Sequence, residues 1–190
     1  MLQAQQHEGF CLALLNVANN DAADEAVRLA AAIALKNAVK RCWNSTAAEL
    51  ERKGLNPIPE ADRRGIMANL HSSVIRCGHA CHQHMHAAAV LCSADHSVPL
   101  RAACSVTNLR GCRCPKIIQT QLLEVTREVA IKDFPQPWSN LLPEALPTIQ
   151  SGNLSHMHGS LLMLRRVVSC LEFASQRNST LQVRLGLKST

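Results

Sequence analysis

The chain has 190 residues, 47% hydrophobic and 18% charged, which excludes a fully disordered polymer and allows a sizeable buried core. Aromatic residues make up 3%, with no Tyr, too few for an RNA-recognition sheet or a base-stacking platform. The formal net charge of +6 favours acidic partners, and no run of about 18 apolar residues exists to cross a membrane as a helix.

Gly9 to Ala18 reads as a short apolar helix closed by Asn19-Asn20-Asp21. Its apolar patch, Phe10 to Leu15, has no basic region before it, which argues against a secretory signal. The spacing predicts a second helix from Asp24 to Trp43. Val27, Ala31, Ala34, Ala38 and Cys42 follow one step, and Arg28, Lys36 and Lys40 fall on another side. Asp21 or Asp24 caps it, and basic residues near its end suit the helix dipole. Residues 44 to 58 read as a loop.

Pro59 then opens a helix with Glu60 and Asp62 in its first turn. Ile66, Leu70 and Val74 mark its buried side, with Arg64 and His71 pointing the other way. The pattern resumes at Pro115, where Ile118, Leu122, Val125 and Val129 form a stripe that Asp133-Phe134-Pro135 ends. A helix starting near Pro137 presents Trp138, Leu141, Leu142, Ala145, Leu146 and Ile149, with Pro143 and Pro147 confining its regular bonding. Ser151-Gly152-Asn153 stops it. Met157, Leu161, Leu164, Val168 and Leu171 mark a last long helix.

No alternating β-branched run competes with this pattern. Outside residues 77 to 114, helix pairs recur at roughly the 40–47-residue period of HEAT-type repeats, whose apolar faces are buried only by stacking. The expectation is an all-α HEAT-repeat solenoid of stacked antiparallel helix pairs.

Two segments carry a family resemblance. Val27 to Trp43, VRLAAAIALKNAVKRCW, resembles the second HEAT repeat of importin-β superfamily receptors. Asp133 to Gly152, DFPQPWSNLLPEALPTIQSG, resembles that family's DFP-x-x-W-x-x-LLPE segment and the turn after it. IPEADRRGIMANLHSSVIR and LLMLRRVVSCLEF resemble the helices before the third repeat and in the fourth. The ending CLEF and the loop at 44 to 58 resemble the importin-seven/importin-eight branch, with the export receptor for importin-α as its competitor.

The resemblance covers residues 8–76, as helices of repeats one and two, and 115–173, as helices of repeats three and four. An irregular tail is expected at 174–190. Relatives have a helix upstream of Met1 and further repeats beyond the fourth, so the expectation is a truncated receptor. The resemblance implies a nuclear transport receptor and no enzyme, with no cofactor. Its partners would be the GTP-bound form of the small GTPase Ran, cargo proteins and, in a full-length receptor, nucleoporins. It also implies residence in cytoplasm, nucleus and nuclear pore. Arg64 and His71 would face a partner from the inner surface. Val27, Leu35, Asn37, Trp43, Phe134 and Trp138 would hold the repeats together.

Residues 77–114 match nothing in the family and hold six of the nine Cys and five of the nine His. Thiolates and imidazoles suit Zn²⁺, with Cys77, His79, Cys81, Cys112 and Cys114 as candidate ligands. Cys77-x₃-Cys81 fits half of a zinc site, but Cys112-x-Cys114 is too tight for the other half. The competing reading is a foreign insertion, such as a translated intron, that protrudes as disordered or weakly helical chain.

No phosphate-loop, dinucleotide, nucleophile-elbow or H-E-x-x-H motif occurs. His156 and His158 read as exposed helix-end residues. Cys11, Cys42 and Cys170 read as buried, inert thiols of a reducing compartment. Arg28, Lys36, Lys40 and Arg41 form a basic stripe, either a solvated face or a contact for an acidic protein. Nucleic acid is disfavoured, because no recognition helix or interleaved aromatic accompanies the stripe.

Overall fold

The structure, a computed structural model, describes residues 7–93 and 114–184, with side chains described at 7–76 and 116–172. Seven helices make up the described residues, and no strand occurs among them. They are α1 (Phe10–Asn19), α2 (Glu25–Cys42), α3 (Ala47–Arg52), α4 (Glu60–Ser93), α5 (Cys114–Asp133), α6 (Leu141–Gln150) and α7 (Leu154–Arg184). The described residues are all-α and HEAT-like, as the periodicity implied.

Several helix starts have an identifiable cap. Gly9, at φ +85°, supplies no side-chain cap for α1. Asp62 of α4 caps α1 instead, its carboxylate accepting from Gly9 N at 2.7 Å and Cys11 N at 3.0 Å. Asp24 caps α2 by accepting from Ala26 N at 2.8 Å. Asn153 caps α7, its side-chain oxygen accepting from Ser155 N and His156 N. The expected loop at 44–58 contains α3. Thr46 and Glu49 form a reciprocal capping box there, and Leu50 and Ile58 are buried. Six residues are too few for helical periodicity to show.

One core runs through the stack. Trp43, Leu15, Leu35, Ile66, Leu70, Ile118, Leu122, Val125, Leu141 and Met163 are all fully buried in it. Helix α2 rests on α1 and α5, and α4 rests on α1, α5 and α7. Helix α6 packs on α7 and barely touches α4.

Three expected faces are corrected. On α2 the buried stripe is Ala31, Ala32, Leu35, Ala38, Val39 and Cys42, while Val27 is 52% exposed. On α7 the buried positions are Ser160, Met163, Val167 and Cys170, while Leu161, Val168 and Leu171 are exposed. The small residues are chosen at the crossing with α4. A Cβ on Gly159 would lie 3.1 Å from the Ile75 Cα, so the backbones approach too closely for leucine. On α6 only Leu141 and Ala145 are buried, and Leu142 and Leu146 are exposed.

Helix α4 continues past Arg76 to Ser93, so the first part of the Cys/His-rich segment extends it. Residues 94–113 lie outside the described residues. The ends of the segment are tied together nearby, where Gln119 Nε2 donates to the Val74 carbonyl at 3.0 Å. The tail, expected to be irregular from 174, is helical as far as Arg184.

Candidate partner-binding surface

The residues of the two resembling segments meet in space. Trp43, closing α2, is fully buried and donates Nε1–H to Asp133 Oδ2 at 2.8 Å, from 90 residues away. The Arg63 guanidinium lies 4.7 Å from the Trp43 ring centroid, and its Nη2 donates to the Trp43 carbonyl at 3.0 Å. Lys132 Nζ donates to the same carbonyl at 3.2 Å. Trp138 Nε1–H donates to the Met67 carbonyl at 3.1 Å, joining the start of α6 to α4. Phe134 packs partly buried against the core. Leu35 is buried, whereas Asn37 is exposed. Trp43, Asp133 and Trp138 therefore stitch helices together, and the surface left for a partner lies elsewhere.

The basic residues separate into tied and free groups. Arg28 is tied, its guanidinium bonded to the Ala18 carbonyl at 3.1 Å and to Asp21 at 2.8 Å. It holds the α1–α2 turn. Lys36 is half-buried and Lys40 exposed, one turn apart on α2. Arg41 is exposed and bonds the Asn37 carbonyl within its own helix. Arg64 is exposed on α4, as expected.

His71 does not point outward. It is 5% exposed, and its Nε2 lies 3.0 Å from Ser160 Oγ on α7. Its Nδ1 lies 3.8 Å from Glu144 Oε2 on α6. Helix α7 covers α4 at this point, so His71 is interior although Arg64 on the same side stays exposed. Burial pushes the His71 imidazole below its ordinary pKa and the Glu144 carboxyl above its own. Beside this group an open cleft of about 370 Å³ is lined by His71, Ser72, Ile75, Arg76, Thr148 and His156.

The thiols of Cys11, Cys42 and Cys170 are buried and free. Burial, with Asp62 and Cys42 close by, pushes Cys11 up to about 12. Burial also raises Cys42 and Cys170. All three stay protonated and are poor nucleophiles. His158 is exposed, while His156 is half-buried at the cleft. The side chains of the candidate zinc ligands Cys77, His79, Cys81, Cys112 and Cys114 lie outside the described residues. Among the described residues no cluster of three or more His, Cys, Asp or Glu is placed to hold a metal. Reading the sequence missed the roles of Asp62, Asp133, Arg63 and Ser160. Each acts across a helix–helix contact, which local periodicity does not encode.

Comparison with known proteins agrees with this stitched stack. Residues 1–76 match the importin-beta N-terminal domain family. That stretch is similar to the amino-terminal region of the importin-β superfamily. This importin-β-like chain is 27% identical to importin-8 of Danio rerio over 165 residues, which are 86% of this chain and 12% of the relative. It is 25% identical to exportin-2 of Drosophila melanogaster over 154 residues, 81% of this chain and 12% of the relative. It is 27% identical to exportin-2 of Xenopus laevis over 138 residues, 73% of this chain and 10% of the relative. The importin-β-like chain thus spans 10–12% of the length of these relatives, and the identities do not separate the importin-named branch from the exportin-named one. No solved structure gives a significant match.

Proposed function

We propose that the chain acts as part of a nuclear transport receptor that binds the GTP form of Ran and serves protein import into the nucleus. The observation that carries this reading is the importin-beta N-terminal domain match over residues 1–76. The Trp43–Asp133 bond supports it, because it joins the two segments whose patterns resemble the family. Arg64, Lys36 and Lys40 are among the exposed or half-buried cations that an acidic partner surface could meet. In the longer receptor, cargo proteins and nucleoporins would engage further repeats, and the protein would move between cytoplasm and nucleus through the pore. Ran would act by population shift, favouring one curvature of the stack through differential affinity.

The function proposed is one of binding, in keeping with the transport-receptor family that residues 1–76 match. No helix among the described residues is long and apolar enough to cross a membrane.

The test is equilibrium binding of the purified chain to Ran loaded with GTP and then GDP, beside a copy lacking residues 77–114. Preference for the GTP form by both copies is the expected result. Binding by neither copy, while circular dichroism shows folded helix, overturns the reading. Zinc retained stoichiometrically without Ran binding would point instead to the Cys/His-rich segment as a metal module.

A further inference from the structure

Helix α6 is held at its two ends. Trp138 anchors the approach to it through the Met67 carbonyl, and the Ser151–Asn153 turn leads into α7. Between those points it stands off α4, and the cleft opens beside it. The one charge facing α4 from α6 is Glu144, the only ionisable residue of that helix.

We propose that His71 and Glu144 form an acid-operated latch between α4 and α6. In the neutral imidazole only one ring nitrogen carries a proton. Nε2 is engaged with Ser160, and Nδ1 stands 3.8 Å from Glu144 Oε2, beyond hydrogen-bond length. Uptake of a proton makes both nitrogens donors. Nε2–H then donates to Ser160 Oγ, which is fixed in the buried face of α7. Nδ1–H⁺ is left facing a carboxylate on the less constrained helix. Closing to a charge-assisted bond of about 2.7–2.9 Å draws Glu144, and α6 with it, towards α4 and narrows the cleft.

The other groups around His71 set the limits. Arg76 on α4 lines the cleft and opposes a second positive charge. His156 on α7 also lines it and is the competing titratable group. Helix α5 contributes neutral Gln119, bonded to the Val74 carbonyl. Burial disfavours the charged form of His71 and of Glu144 alike. The latch therefore closes only where imidazolium and carboxylate coexist, and its midpoints belong to the pair.

The experiment is an NMR titration of the full chain from pH 7.5 to 4.5. It reads the imidazole nitrogens of His71 and His156 and the backbone amides of Ala145 and Thr148. The α6 amides are expected to shift with the His71 midpoint. In Glu144→Gln those amide shifts disappear, and the His71 midpoint falls as the carboxylate facing it is lost. His156→Asn leaves both responses intact. Amides that stay still while His71 titrates overturn the proposal, as do amides that follow His156 or shift equally in Glu144→Gln.

Discussion

At the scale of single residues, buried polar atoms carry the tertiary contacts. Asp62 is 2% exposed and satisfies two backbone N–H groups of another helix. Asp62→Ala leaves both without a partner and is expected to cost about 1–3 kcal/mol, read from urea unfolding. Trp43→Phe keeps most of the ring but strands the Asp133 carboxylate, and a loss of about 1–3 kcal/mol is expected by the same measurement. The pH response has a definite sign. Burial lowers the His71 pKa in the folded state, so its contribution is fully present above the ordinary imidazole value and is lost as pH falls through the folded one. Glu144, raised by burial, acts in the opposite direction at lower pH. Glu144→Gln removes that opposition, and this variant should lose more urea stability than the parent chain as pH falls from 7 to 4.5. Cys11, its thiol held up to about 12, should resist alkylation at pH 8 until urea unfolds the chain, as followed by peptide mass mapping.

At the scale of helices, existence was easier to read than phase. Ile118, Leu122, Val125 and Val129 mark α5 in the sequence, and all four are buried. The α7 leucines keep helical spacing but sit on the outer side. Close backbone approach at Gly159, rather than apolarity, decides which face turns in. That contact sets up an unequal pair of substitutions. Gly159→Val would drive a branched side chain onto the Ile75 backbone and is expected to cost about 1–3 kcal/mol. Gly65→Ala would meet only the tips of the Leu12 side chain, which can swing aside, so its cost should be smaller. Thermal midpoints of the two variants compare them directly. Helix α3 escaped periodicity, although its Thr46-x-x-Glu49 box stands in the sequence.

At the scale of the whole molecule, the resembling motifs indicated a stack because they are the parts that fasten one layer to the next. Trp43 and Asp133 are recognisable for the same reason that they are buried. The candidate surface was less legible. Arg28 and His71 look free on a helical wheel, and neither is, because each is claimed by a residue from another helix or turn. Lys40 and Arg64 stay exposed because no neighbouring layer covers them.

The bond from Gln119 to the Val74 carbonyl has a topological consequence. The chain leaves and re-enters the stack at nearly one point, so the residues between form a detour whose entrance and exit are already fastened. Lengthening a detour of that kind costs only closure entropy, about 0.6 kcal/mol for each doubling. His71 and Ile75, which seat α4 on α7, both lie before it. Removing or lengthening the segment at this junction is expected to leave the register of the layers on either side unchanged, read as an unaltered thermal midpoint for the copy lacking residues 77–114.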